Sequence, residues 1–555
     1  MPEKCQMKWY GWGSAEKTFD LSRRRHFWPY LNEKLGLSGE ERSLPVELDS
    51  IKLPNIDTAN LVTRFAKLLG ANAVHTDQLT RVTHAAGKSY LDLIRVRLGL
   101  LESAPDLVLY PENEAQVLAI LQLAAEARIA VIPFGGGTSV VGGVEALKRA
   151  DQIATVSLDL SCLNRLAEID EVSLLANIEA GIRGPELERQ LQQRGYTLGH
   201  YPQSFEFSTL GGWVATRSAG QQSTKYGKIE DMCASVTVVT PAEIFSTLNT
   251  PASAAGPSIK DLLIGSEGLY GVITQAQMRI HKLPATRLYR VVLFKDFAAG
   301  AQAIRRIIQE DLTPATVRLS DEFETAAFMK MRAESDSVLT AALTKVGRFW
   351  LKNRGYLDNS SLMILGFEDS ESRVHQESKA ALEICRQYDG IDLGARAGRL
   401  WYKDRFELPY LRDLLLDRAV LIDTLETATT WRNLMNVYQR VREALHTAIV
   451  GFHWQAKPLV FCHISHSYRD GASLYFTFLA RQAQGAEIAQ WQAAKTAASE
   501  AIVASGATIS HHHGVGRDHA CWARYEHGRL GTEGLTALKR TFDPTGILNP
   551  GKLLP

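Results

Sequence analysis

The stretch Pro133-Phe134-Gly135-Gly136-Gly137-Thr138-Ser139-Val140-Val141-Gly142-Gly143-Val144 decides how this chain is to be read. Successive glycines let a backbone take positive φ and approach a ligand closely, leaving consecutive N–H groups free for anionic oxygens. Immediately before it, RIAVIPF (128–134) has the β-branched, apolar character of a strand. NEAQVLAILQLAAEA (113–127) puts Val117, Leu121 and Ala124 on one helical face, and DLVLYP (106–111) is a further apolar run stopped by Pro111. Residues 106–134 therefore predict a β-α-β unit that delivers the glycines at its end. GxGxxG spacing is absent, no helix follows directly, and the Walker lysine is missing. By itself the segment is either a diphosphate cradle or a structural glycine turn.

Further along, TVSLDL (155–160) and part of EVSLLANIEAG (171–181) alternate apolar with polar and read as strands. GPELERQLQQRG (184–195) reads as a helix with Pro185 near its first position and Gly195 past its last. Two more small-residue segments follow, GHYPQSFEFSTLGGWVATRSAGQQSTKYGKIEDM (199–232) and LIGSEGLYGVIT (263–274). After about Leu283 the texture changes. LYRVVLFKDF, LMILGFED and SLYFTFLA predict strands of one antiparallel sheet, with AAGAQAIRRIIQE and WRNLMNVYQRVREALHTA as helices between them. That pattern is α+β. Residues 1 to about 100 read as mainly helical and irregular, with helical spacing in IDTANLVTRFAKLLG and SYLDLIRVRLGL.

At 555 residues, 45% hydrophobic and 22% charged, the chain has material for two or three globular domains. A net charge of +1 argues against nucleic acid as a partner. Cys5, Cys162, Cys233, Cys385, Cys462 and Cys521 form no CxxC pair, which fits reduced thiols. The opening MPEKCQMKWYGWGS has no apolar leader, GKLLP is not an SKL-type address, and VLAILQLAAEARIAVIPF is interrupted by Glu126 and Arg128. The expectation is a cytoplasmic protein. SRRRHFWPY (22–30) sets three arginines beside three aromatics; its aromatics are expected to pack on the body, with peripheral contact to an anionic membrane as the second reading.

SHHHGVGRDH (510–519) offers a tag, a metal site or a catalytic pocket. The triplet lies well inside the chain, unlike a tag. Three adjacent side chains do not converge on one tetrahedral ion, and on a strand His511 and His513 would point away from His512. His463 and His466, in CHISHSYRDG, lack a further ligand set, so no metal is expected.

Taken together, the three glycine-rich segments resemble the FAD-binding domain of the vanillyl-alcohol oxidase and para-cresol methylhydroxylase superfamily. GHYPQSFEFSTLGGWVATRSAG, GSEGLYGVIT and HHHGVG resemble more narrowly the alkyldihydroxyacetonephosphate synthase family, as do MKWYGWG, VRLSDEFE (317–324), YLRDLLLDRAVLIDTLETATTW (410–431) and YRDGASLYFTF (468–478). The resemblance runs over nearly the whole chain. It implies an α+β protein with a mainly helical region at 1–101, a two-part FAD-binding domain at 102–283, a cap with an antiparallel sheet at 284–509, and a segment returning to the flavin at 510–555.

The family exchanges the acyl group of acyl-dihydroxyacetone phosphate for a long-chain alcohol without net redox change, with flavin N5 capturing the substrate carbon. The resemblance implies catalytic roles for Tyr475, His511, His512 and His513, with His512 as the base, and substrate-binding roles for Arg412 and Arg318. For FAD it implies the first segment from Pro133 to Ser139. It adds Gln203, Ser204, Phe205, Glu206, Phe207, Ser208, Thr209, Thr216, Arg217, Ser218 and Ala219 from the second. From the third it takes Gly265, Ser266, Glu267, Gly268, Leu269, Tyr270 and Gly271. With no His or Cys in 133–144, FAD is expected without a covalent link. A homodimer is left open. The reading from a different class is an FAD-linked oxidoreductase acting on a 2-hydroxy acid or related alcohol.

Overall fold

In a computed structural model, residues 7–331, 351, 354–356, 359–452 and 457–554 are described. The β-α-β unit is present. Strands β1 (Val74–His75), β2 (Leu107–Leu109), β3 (Ile129–Phe134) and β4 (Ala154–Asp159) form a sheet in the order β1-β2-β4-β3, with β4 parallel to both β2 and β3. The crossover helix Glu114–Ala127 starts where the Asn113 side chain accepts the Gln116 N–H at 3.0 Å and ends at Arg128, which takes φ 55°. Its buried stripe is Val117, Ile120, Leu121 and Ala124, and each large aliphatic there contributes about 1.5–3 kcal/mol. The N-terminal region is less separate than its sequence suggests. β1 pairs with β2, and the helix Ala59–Leu69 packs Leu61 and Phe65 under this sheet.

A second sheet holds β5 (Leu166–Asp170), β6 (Leu175–Glu179), β8 (Cys233–Val239), β9 (Ile244–Ser246) and β10 (Val272–Arg279), all antiparallel, in the order β5-β6-β10-β8-β9. A two-stranded ribbon joins β7 (Tyr196–Thr197) to β11 (His281–Lys282). The three glycine-rich segments meet at the edge of these sheets. A Cβ on Gly136 would lie 2.1 Å from the Phe207 carbonyl oxygen, so the first two segments pack backbone to backbone. Gly268, at φ +80°, brings the third against Pro133.

The expected antiparallel sheet is also found. Strands β12 (Thr286–Phe294), β13 (Thr316–Ser320), β14 (Ser361–Asp369), β15 (Ile391–Gly394), β16 (Val420–Thr430), β17 (Leu459–Ser467) and β18 (Gly471–Arg481) are ordered β15-β12-β14-β13-β17-β18-β16. One face, including Leu319, Cys462, Ile464, Leu474, Phe476 and Phe478, is buried against the helices Phe297–Gln309, Glu371–Gln387, Leu434–Phe452 and Glu487–Ala504. The C-terminal segment then returns to the first sheet, where Val131 exchanges backbone hydrogen bonds with Ile547 and Asn549 at 2.8 and 2.9 Å. Among the described residues no helix is long and apolar enough to cross a membrane, and Cys162, Cys233, Cys385, Cys462 and Cys521 are free thiols.

The basic segment at 22–30 uses its aromatics as expected. Phe27 opens the helix Phe27–Leu35, and Phe27, Leu31 and Leu35 are buried in a cluster with Ala327, Leu415, Phe461 and Leu479.

Candidate active site

The strand pleat sends alternate residues to opposite faces. On the face turned away from the helices, β13 presents Thr316 and Arg318, β17 presents Phe461, His463 and Ser465, and β18 presents Tyr475, Thr477 and Leu479, all lining one cavity of about 430 Å³. Ile422 and Thr424 of β16 extend this wall. Opposite stand Pro133, Phe134, Gly135, Gly136, Gly137, Thr138 and Ser139, with Gln203, Ser204, Ser208, Thr209, Thr216, Ser218, Ala219, Glu267 and Gly268. Part of the wall is apolar: Phe27, Leu31, Ala327, Leu411, Leu415, Phe461 and Leu479 adjoin one another.

The histidine triplet is a loop, not a strand, and its side chains do not alternate. The cause is Glu426, opposite Tyr475 in the β16–β18 register and 1% exposed. Its carboxylate accepts the backbone N–H groups of His511 at 2.7 Å, His512 at 3.1 Å and His513 at 2.9 Å, and the Ser510 hydroxyl at 2.9 Å. Burial alone would raise this carboxyl, but the adjoining imidazoles and the N–H groups aimed at it hold it well below its ordinary value. His512 and His513 thereby meet Tyr475, at ring-centroid distances of 6.0 and 5.5 Å. Burial presses His512 down to about 3 and His513 to about 4, against the pull of Glu426. Neither titrates near neutral pH, as a solvated histidine would; both are neutral bases there. The Tyr475 phenol is pushed up by burial and keeps its proton.

His463 stacks on Tyr475 at 4.9 Å and receives Arg318 Nη2 at 3.1 Å on Nδ1. Glu324 accepts from Arg318 at 3.0 Å and lies 3.1 Å from the same His463 nitrogen. Arg412 donates to the Lys88 carbonyl, and the Lys88 N–H donates to Ser139 at 2.6 Å, so this arginine is braced on the glycine-rich loop.

Several sequence-predicted residues have side chains engaged elsewhere. His511 turns from the cavity to Tyr468, whose hydroxyl is 2.5 Å from its Nε2. Phe205 stacks on Phe406, Glu206 binds Lys17 and Tyr410, each at 3.0 Å, and Phe207 packs on Trp12. Arg217 donates to the carbonyls of Ile264 and Asp261, and Gly265 sits against that arginine. Ser266, Leu269 and Tyr270 are buried, the last bonded to the Leu535 carbonyl, and Gly271 abuts Val238. Tight turns and core contacts occupy these side chains, which leaves their backbone groups for any contact with a ligand. Glu267 joins the third segment to the histidine loop by accepting Val515 N–H at 2.6 Å and Gly516 N–H at 2.7 Å.

Sequence reasoning missed Glu426, Glu324 and Asn549. A signal existed for the first: a glutamate inside the apolar strand VLIDTLETATT cannot be buried without donors. Expectation is also corrected for His466. It lies on β17, but in space it meets His511 and His512.

The lining suits a dinucleotide, with glycine N–H groups for anionic oxygens and orphaned amide oxygens for a ligand's N–H or O–H groups. The glycine-rich loop at Phe134–Gly137 lines both the 430 Å³ cavity and a second one of about 1500 Å³, so its two sides each face open space. Gln221 Oε1 and Asn549 Oδ1 are buried without a protein partner, and both residues line the first cavity.

Two sheets meeting at glycine-rich segments under an antiparallel cap define an FAD-linked oxidase fold. Residues 105–246 match the family described as FAD binding domain, and residues 283–553 match FAD linked oxidases, C-terminal domain. The chain is 36% identical to the alkyldihydroxyacetonephosphate synthase of Dictyostelium discoideum over 99% of its length and 94% of that protein. It is 31% identical to the Trypanosoma brucei brucei enzyme of the same name, over 99% and 92%. A solved alkyldihydroxyacetonephosphate synthase structure superposes with a TM-score of 0.83 at 31% identity, covering 98% of each chain. The chain belongs to the alkyldihydroxyacetonephosphate synthase family.

Proposed function

We propose that this protein exchanges the acyl group of acyl-dihydroxyacetone phosphate for a long-chain alcohol, with FAD as a cofactor held without a covalent bond. The observation that carries this reading is the meeting of neutral His512, protonated Tyr475 and two arginines in one cavity with an apolar wall. On this reading residues 102–283 hold FAD, 284–509 form the cap, and 510–555 complete the site. Pro133 to Ser139, with Thr209, Thr216, Ser218 and Glu267, would hold the cofactor, and no His or Cys in 133–144 offers an attachment point. Bound FAD supplies an electron-deficient ring that accepts and returns an electron pair, so the exchange moves no net electrons.

The chain's own residues do the rest. His512, unprotonated at neutral pH, removes the proton beside the ketone and returns it to the same carbon once the alcohol has replaced the carboxylate. Tyr475 donates its proton to the leaving carboxylate and takes one from the entering alcohol. Arg412 spends one N–H on Lys88, and its guanidinium carries further donors for the phosphate. Arg318, fixed by Glu324, supplies positive charge beside Tyr475 through His463. The apolar wall accommodates the chains and excludes water. Phe328 both lines the cavity and is 37% exposed, with exposed Phe323 and Met329 beside it, which favours peripheral contact with a bilayer as the route for those chains.

The test is incubation of the holoenzyme with acyl-dihydroxyacetone phosphate and labelled hexadecanol, read by mass spectrometry of the lipid. An ether product with the flavin still oxidised is expected. Rapid bleaching by a 2-hydroxy acid with no ether product would establish the oxidoreductase instead.

A further inference from the structure

His466, His511 and His512 come from two separate parts of the chain, yet each offers a ring nitrogen within 4.8 Å of the other two. The Nδ1 atoms of His511 and His512 are already 3.0 Å apart. The opposite nitrogens are committed in two of the three rings. Ser223 Oγ lies 2.7 Å from His466 Nδ1, which leaves that ring's Nε2, and Tyr468 Oη lies 2.5 Å from His511 Nε2, which leaves its Nδ1. An outer hydrogen bond on the far nitrogen is how proteins orient a ligating imidazole.

The geometry points to a binding site for a borderline transition-metal cation, Zn²⁺ being the reference case, at which the ion blocks turnover. Three imidazoles select Zn²⁺, Co²⁺, Ni²⁺ or Cu²⁺ over Mg²⁺ and Ca²⁺, which prefer oxygen. Nitrogens bound tetrahedrally at about 2.0–2.1 Å from zinc sit roughly 3.3 Å apart, so the site closes by at most about 1.5 Å. Three protein ligands leave the fourth position to water. The local charge permits a cation: Glu426 is 3.6 Å from His512 Nδ1, and Lys228, which donates to the His511 carbonyl, is paired with Glu230 at 3.0 Å. Blockage rests on the role proposed for His512, because a lone pair given to the metal no longer accepts a proton. The ion is an inhibitor here, not a cofactor.

The experiment uses holoenzyme freed of metal by a chelator and titrated with Co²⁺ and Zn²⁺. One Co²⁺ per chain with visible ligand-field absorption, and reversible loss of alkyl transfer on adding Zn²⁺ that excess EDTA restores, are the expected results. His466→Gln should weaken Co²⁺ binding at least tenfold without lowering the FAD-to-protein ratio. Absence of ligand-field absorption in the wild type, or equal binding in His466→Gln, overturns the site. Binding with undiminished turnover overturns the blockage. The role of His512 is read separately, from the metal-free activity of His512→Ala, so the two failures are distinguishable.

Discussion

Glu426→Gln removes one charge and exchanges one oxygen for an amide nitrogen, with almost no change of volume. In the structure Oε1 accepts from Ser510, His512 and His513, and Oε2 accepts from His511. With the amide oxygen at the Oε1 position, three contacts survive as neutral hydrogen bonds, each weaker by about 1 kcal/mol than its charge-assisted counterpart. The amide nitrogen then faces the His511 N–H, donor against donor, and a buried unsatisfied donor costs about 1–3 kcal/mol. The total against the present loop position is about 4–6 kcal/mol. Displacement of a reacting group by about 1 Å costs on the order of 100-fold in rate. Turnover of Glu426→Gln should therefore fall at least about 100-fold. FAD content should hold, because Glu267 anchors Val515 and Gly516 independently. The assay is kcat for alkyl transfer beside the flavin-to-protein absorbance ratio. A Gln variant within about threefold of wild-type kcat would show that the imidazoles hold their places without this carboxylate.

Three further outcomes are expected. Because burial pushes His512 down to about 3, the base is unprotonated throughout pH 5–8, and kcat should show no fall centred near the ordinary histidine value of about 6.5; a wild-type fall with that midpoint assigned to His512 refutes its neutral state. Gly136→Ala sets a Cβ 2.1 Å from the Phe207 carbonyl, so the first two segments must separate and the purified protein should carry less FAD; full occupancy contradicts the backbone packing. Arg412→Lys replaces a planar fork with a point charge and should raise KM for acyl-dihydroxyacetone phosphate at least about tenfold at unchanged FAD content, whereas an unaltered KM would remove Arg412 from the phosphate site.

The local elements were legible because their signals are local. Apolar spacing marked the helix Glu114–Ala127, and apolar runs rich in β-branched or aromatic residues marked β3, β12, β14 and β18. Motif order along the chain was enough for the superfamily and for FAD, since glycine is irreplaceable where two backbones touch. Sequence could not tell which members of a motif face the ligand. In GSEGLYGVIT, Glu267 and Gly268 line the cavity while Leu269 and Tyr270 enter the core, a division set by turn geometry and by the packing of Phe542 and Leu535 from far along the chain. Nor could it show that the histidine triplet is a loop. A run of histidines has no intrinsic preference strong enough to fix its backbone. Its conformation is imposed by Glu426, which lies 85 residues from His511 in sequence and 2.7 Å from its N–H in space. The same long-range pairing of strands joins His466 to His511 and His512 and depresses the histidines, because desolvation depends on what the fold brings over a side chain and not on its neighbours in the chain.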